Sequence, residues 1–463
     1  MAGGMKIKNW KRLLSTGDIA TRKVVLEIIE KSLQALDSYT IVKDLLSLNG
    51  NILRVGNLEW NLERKHRLFL IGAGKACNSM AKAVEERLGD RINGGLVIVK
   101  QLEVGNELER IDLVVGGHPL PNKDGFRASR RILDIVGQAT PDDLFMCLIS
   151  GGSSALMSCP VAGITLEDEI AVTQELLHSG ARIMEINAVR RHISATNGGR
   201  LAQKVEAKGA EMINLIISDG VGARPTVERG QPVKFFGTPV APDNTTLQDA
   251  LDVLEKYDLR SRIPRSIVEF LESREPTRET PKVFGDQIRH FVIQRPADAC
   301  EAAKRAAHKL GQAAMILTTV LEGDSRQAGT FLACVAKEVG LNQRPISPPC
   351  VLIAGGETTT KVDAQSGLGG PSQELALGFA LEIDNLSGCS IVSIDTDGTD
   401  GPTEFAGGVV DCTTVERARL KGLDVYERLM SHDSSTVFLE LGDEVITGNT
   451  GTNVCDLNVI YVT

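Results

Sequence analysis

The chain reads as an α/β protein of two domains: an N-terminal doubly wound, mostly parallel sheet and a C-terminal α/β domain. Three observations predict this. Its 463 residues exceed what one hydrophobic core ordinarily organises. Short apolar runs alternate with amphipathic stretches, and strands separated by helices form parallel sheets. Several of those runs end in turns rich in Gly, Ser, Thr or Asp, where open α/β sheets bind their ligands. A charged helical stretch from about Leu247 to Thr280 looks like a connection. The expected division therefore assigns 1–270 to the first domain and 271–463 to the second.

Residues up to about Asn61 read as helical, with apolar positions at helical spacing from Ile19 to Leu36. Arg67 to Ile71 is the first strand, and it runs into Gly72-Ala73-Gly74-Lys75 and a helix to about Leu88. Gly95 to Val99 and Ile111 to Val115 follow as strands, then a loop around Gly117-His118-Pro119, where a structural turn is the expected role of His118. Leu144 to Ile149 is a continuous apolar run, as expected of a parallel strand covered on both faces. It stops at Ser150-Gly151-Gly152-Ser153-Ser154, and a short helix is expected next. Thr165 begins a helix as its cap, with acidic residues in the first turn. A second helix covers about Ile183 to Ser194, and Gly198-Gly199 opens a third. Met212 to Ile217 is a strand ending at Ser218-Asp219, before a long Pro- and Gly-rich loop over 223–246. In the second domain the expected strands are Ala314 to Leu317, Cys350 to Ile353, Ser390 to Ile394 and Leu457 to Val462.

A net charge of -9 and the lack of any basic tract argue against nucleic acid as a partner. No apolar run is long enough to span a membrane. The nine cysteines include no Cys-x-x-Cys pair, which argues against a zinc site and for free thiols in a reducing, cytoplasmic compartment.

The chemistry is expected at the strand ends. Gly72 and Gly74 let backbone approach an anion, and Lys75 adds a mobile point charge suited to phosphate. Ser150, Gly151, Gly152, Ser153 and Ser154 supply hydroxyl and backbone donors at a helix start. Glu357 and Thr358 follow another strand, at a nucleotide- or phosphate-binding position. Asp395, Asp397 and Asp400 are hard oxygen donors expected to hold Mg²⁺ alongside substrate phosphates, the alternative being an Asp-rich turn capping its own backbone. Asp219 is a candidate general base, or a helix cap. Arg190 is a candidate for a bidentate carboxylate contact, or a surface ion pair. The loop around Lys75 is not a Walker A motif, and the aspartate cluster is not an EF-hand.

These motifs, together with Asn187-Ala188-Val189-Arg190, Gly198-Gly199-Arg200-Leu201-Ala202, Gly355-Gly356-Glu357-Thr358-Thr359, Gln373-Glu374-Leu375, Asp395-Thr396-Asp397-Gly398-Thr399-Asp400-Gly401-Pro402 and Thr450-Gly451-Thr452-Asn453, resemble the glycerate 2-kinase family over nearly the whole chain. The resemblance implies a Rossmann-like domain joined to a MOFRL domain with the active site in the cleft between. It implies ATP- and Mg²⁺-dependent phosphorylation of D-glycerate to 2-phosphoglycerate, with Lys75 stabilising the transferred phosphoryl group. The small hydroxy acid and ATP are then the partners, and the sequence is compatible with a homodimer. Departures surround the expected site. Pro371 stands where that family commonly has Arg, and Asn197 where it has Lys. Residues 220–223 and 236–239 also differ, so either the acceptor is a larger or differently charged hydroxy acid, or Arg224, Arg229 or Lys234 restores the missing charge from a new direction. Two rival readings are an NAD(P)-dependent hydroxypyruvate reductase and a non-catalytic module binding a sugar acid or sugar phosphate. Against the first, Cys77 breaks the dinucleotide fingerprint and the next strand ends at Val99-Lys100, with no Asp or Glu there to hold the ribose hydroxyls. Against the second, the Asp395 to Asp400 cluster would be surplus.

Overall fold

The computed structural model describes residues 4–103, 105, 107–221, 239–273, 275–362, 365–384 and 386–463. The chain forms two compact units, Ser38–Ile293 and a second made of Met1–Asp37 with Gln294–Thr463.

The Ser38–Ile293 unit begins with a helix, Ser38–Leu45, and a small antiparallel sheet of β1 (Leu46–Asn49), β2 (Ile52–Val55) and β3 (Leu58–Asn61). The helical expectation for the first 61 residues is wrong there. Those strands alternate burial residue by residue, with Leu53, Val55 and Trp60 turned inward, a period too short to stand out beside the stronger helical one before it. Six strands follow: β4 (Leu68–Ala73), β5 (Gly94–Val99), β6 (Asp112–Val115), β7 (Leu144–Ile149), β8 (Glu211–Ile217) and β9 (Ile288–Gln294). Their order is β6-β5-β4-β7-β8-β9, with parallel pairing from β6 through β8. This is the doubly wound order in which the strand sequence reverses between β4 and β7, the switch point where such sheets open at their carboxyl ends. Every residue of β7 is buried, in line with its uninterrupted apolar run. Phe145 stacks on Phe69 at 5.4 Å between ring centroids.

The second unit has its own sheet: β10 (Ala313–Leu321), β11 (Cys350–Gly356), β12 (Cys389–Asp395), β13 (Gly407–Asp411), β14 (Glu444–Val445) and β15 (Asp456–Val462), in the order β10-β11-β15-β12-β13-β14. Only β10 and β11 run parallel; β15 lies antiparallel between β11 and β12. A helical layer over Ser325–Asn342 and Pro371–Ile383 covers one core.

The domain expectation of 1–270 and 271–463 differs from these units at both ends. The helix Ile19–Ala35 carries Arg22, which is fully buried and donates to Asp443 through Nη1 at 2.7 Å and Nη2 at 2.9 Å, and through Nε to Asp411. A buried guanidinium needs such partners, and they are supplied some 400 residues later in the chain. At the other end, the helices Leu247–Lys256 and Arg265–Glu272 share a core with Val189 and Ile193, so this stretch is part of the first unit rather than a connector. Among the described residues no helix is long and apolar enough to cross a membrane.

Candidate functional site

At the β4–β7 switch point the two expected anion turns are tied to each other. Lys75 N–H donates to the Gly151 carbonyl at 3.0 Å, and Ala76 N–H donates to Ser150 Oγ at 3.0 Å. Ser150 is therefore a buried clamp between the turns rather than an exposed ligand. Gly74 is required here because a side chain would collide with Ser150. Gly152 has φ of +82°, and a Cβ on it would lie 2.9 Å from His118 Cδ2, 3.2 Å from His118 Nε2 and 3.5 Å from Lys75 Cγ. Gly72, Gly74, Gly151 and Ser153 are buried, whereas Lys75, His118, Gly152 and Ser154 are partly exposed. Sequence reasoning left His118 as a turn residue; the structure sets its ring against Gly152 beside the stem of Lys75. Nothing in the linear spacing of 75, 118 and 152 signals that meeting, which follows from the strand order.

Asn197 joins the same turn by donating from Nδ2 to the Ser154 carbonyl at 3.0 Å. Asp219 is exposed just beyond the end of β8. Arg190 lies in the last turn of the helix Ile183–His192 and is 9% exposed, so it is not a surface ion pair. Its Nε and Nη2 have no hydrogen-bond partner among the described residues. Burial lowers its pKa, while the charge of Glu169 favours its ionised form. A guanidinium stays ionised even so, and one held dry with open donors fits a carboxylate or phosphate oxygen. Its neighbour Arg191 instead pairs with Asp243 at 2.9 Å.

In the second unit, Glu357 is exposed and Thr358 is buried just beyond β11. The three aspartates expected to hold Mg²⁺ do not converge. Asp395 accepts the Asp397 N–H at 2.9 Å, and Asp397 accepts both the N–H and the hydroxyl of Thr399 at 2.8 Å. Asp400 caps the helix Pro371–Ile383, accepting from Ser372 N at 3.0 Å, Gln373 N at 2.9 Å and Gln373 Nε2 at 3.0 Å. Among the described residues no group of three or more His, Cys, Asp or Glu side chains is arranged to hold a metal ion. As a cation cage this triad does not fit; the Asp-rich turn holds its own backbone. Pro371 occupies the first position of the helix that Asp400 caps, where its lack of an N–H is harmless.

Sequence reasoning missed Asp456. It begins β15, paired with Asp395 on one side and Gly356 on the other, and accepts the Thr358 N–H at 3.3 Å. Burial, followed by the charges of Asp395, Asp400 and Glu357, pushes its pKa well up. Its position straight after the Thr450–Asn453 motif is the only linear signal. The compensating candidates Arg224, Arg229 and Lys234 lie outside the described residues.

Two family models match the chain: a domain of unknown function, DUF4147, over residues 24–272 and the MOFRL family over 350–456. A glycerate 2-kinase of Pyrococcus horikoshii is 38% identical, covering 96% of this chain and 97% of that one. A D-glycerate 2-kinase of Thermotoga maritima is 37% identical over 94% of this chain and 97% of its own. The crystal structure of a glycerate kinase from Thermotoga maritima superimposes with a TM-score of 0.77 at 36% identity, covering 95% of this chain and 99% of that one.

Proposed function

This chain belongs to the glycerate 2-kinase family, and on that premise we propose that it transfers the terminal phosphoryl group of ATP to the 2-hydroxyl of D-glycerate, giving 2-phosphoglycerate. The observation that carries this reading is the packing of Lys75 and His118 around Gly152 at the switch point of the first sheet. Phosphoryl transfer asks a protein chiefly for positioning and for charge stabilisation. The Lys75 ammonium, on the glycine turn held by Ser150, supplies the positive charge to the phosphoryl oxygens. Arg190 offers to the acceptor carboxylate its Nε and Nη2, which have no partner among the described residues. Asp219 takes the proton from the 2-hydroxyl as that oxygen bonds to phosphorus and the bond to the ADP oxygen breaks. Glu357 and Thr358 are assigned to nucleotide contacts. Mg²⁺ is assigned to the donor as the counter-ion of ATP, because it holds phosphate oxygens and takes only one or two carboxylates from a protein. None of the nine cysteines is in a disulfide, in keeping with a reducing compartment such as the cytoplasm.

The test is a panel of small 2-hydroxy acids with ATP and Mg²⁺, followed by ADP release and by phosphorus NMR of the product. D-Glycerate is expected to be the best acceptor, with phosphate on carbon 2. Phosphate on carbon 3, or no ADP release with any acid, would overturn the reading.

A further inference from the structure

Three loops leave the first sheet at its carboxyl ends and meet at Gly152. Lys75 follows β4, His118 follows β6 and Gly152 itself follows β7. The ring of His118 presents its Cδ2–Nε2 edge to the bare glycine, at 2.9 and 3.2 Å from where a Cβ would stand, and the Lys75 stem borders the same point. The loop that carries His118 is braced by other residues. A Cβ on Gly116 would lie 2.8 Å from Ile98 Cγ2 in β5 and 3.0 Å from Leu156 Cδ2, and one on Gly125 would lie 2.7 Å from the Leu156 carbonyl. Asn122 caps the helix Lys123–Gly137, accepting the Gly125 N–H at 2.8 Å. None of these contacts uses the imidazole.

His118, Lys75 and Gly152 are partly exposed, while Gly72, Gly74, Gly151 and Ser153 around them are buried. The Nε2 edge therefore borders the accessible part of the turn. Lys75 draws an anion, and the oxygens of an anion only accept hydrogen bonds. An imidazole beside the same oxygens is favourable with its hydrogen on the nitrogen that faces them, here Nε2. We infer that His118 is a catalytic residue whose Nε2–H donates to an oxygen of the phosphoryl group in transfer, beside the Lys75 ammonium. The inference rests on the kinase reading above. No covalent bond to the ring forms. The hydrogen stays on Nε2 while the acceptor oxygen bonds to phosphorus and the bond to the ADP oxygen breaks. A donor aimed at the group in flight acts on the transition state, so its loss lowers kcat rather than raising KM.

The test assays the full-length protein with ATP, Mg²⁺ and D-glycerate. His118→Leu removes the donor and is expected to lower kcat by about 10- to 100-fold, the worth of one hydrogen bond to a charged group, with KM for either substrate changed less than about threefold. His118→Gln sets an amide N–H near the place of Nε2 and is expected to regain most of that loss. Melting temperatures check the fold of both variants. An unchanged kcat in His118→Leu would overturn the inference. A raised KM for glycerate at unchanged kcat would overturn it by giving the ring to the acceptor. Equal losses in the two variants would also overturn it: with lowered melting temperatures His118 is a turn residue, and with unchanged ones it carries a proton instead of donating a fixed hydrogen bond. In all these outcomes the wild type still releases ADP and the kinase reading stands. A wild type that releases no ADP with any acid would overturn both.

Discussion

Asp456 stands directly opposite Asp395 where β15 pairs with β12, so two carboxylates face each other across adjacent strands. Like charges in register repel, and burial adds to the cost of ionising both. Asp400 feels the same environment. Burial lifts its pKa to about 7, with the charge of Asp397 adding to the rise and the hydrogen bonds from Ser372 and Gln373 opposing it.

A pH dependence follows from Asp400. Its folded pKa of about 7 lies above the ordinary aspartate value of about 4, so the folded protein holds a proton that the unfolded chain releases. That contribution to stability is fully present below about pH 4 and is lost as pH rises to about 7. The loss is up to about 4 kcal/mol. Asp400→Asn removes this titration. Urea midpoints measured between pH 4.5 and 7.5 should fall more steeply for the wild type than for the variant, and parallel curves would show that Asp400 does not retain its proton.

Lys75→Ala should lower kcat by roughly 10²–10³, as loss of one charged donor at a transition state does. Lys75 is partly exposed, so the melting temperature should stay within a degree or two. A kcat unchanged at saturating ATP would leave Lys75 as a helix-start residue.

Arg190→Met separates binding from folding. The guanidinium is buried, with two nitrogens unpaired among the described residues, and replacing such a charge with an apolar side chain of similar size is often neutral or stabilising. The expected outcome is an unchanged or raised melting temperature. With it, kcat/KM for the acceptor should fall by roughly 10²-fold, the worth of a charge-assisted bidentate contact. A large drop in melting temperature with normal kinetics would make Arg190 structural.

Arg22→Met tests the domain boundary. It would leave Asp411 and Asp443, both fully buried, short of their shared partner. The expected cost is about 3–5 kcal/mol, seen as a lower urea midpoint for the unit that contains residues 294–463. A cost below 1 kcal/mol would mean that the N-terminal helix is dispensable to that unit.

Sequence alone determined the elements whose signal is local. The run Leu144–Ile149 needs no partner to read as a buried strand, because every position in it is apolar. The Thr165 cap and the glycine turns at Gly74 and Gly152 are equally legible, since helix capping and left-handed backbone depend on one or two residues. The motif order was enough for the family. Tertiary structure alone decided what depends on distant strands. It set His118 against Gly152, turned Ser150 into a clamp, gave Arg22 to the C-terminal unit and brought Asp456 opposite Asp395. It also gave each of the three aspartates its own backbone partners. The physical reason is that a residue's type and spacing specify which bonds it is able to make, while strand order and register specify which partner is within 3 Å.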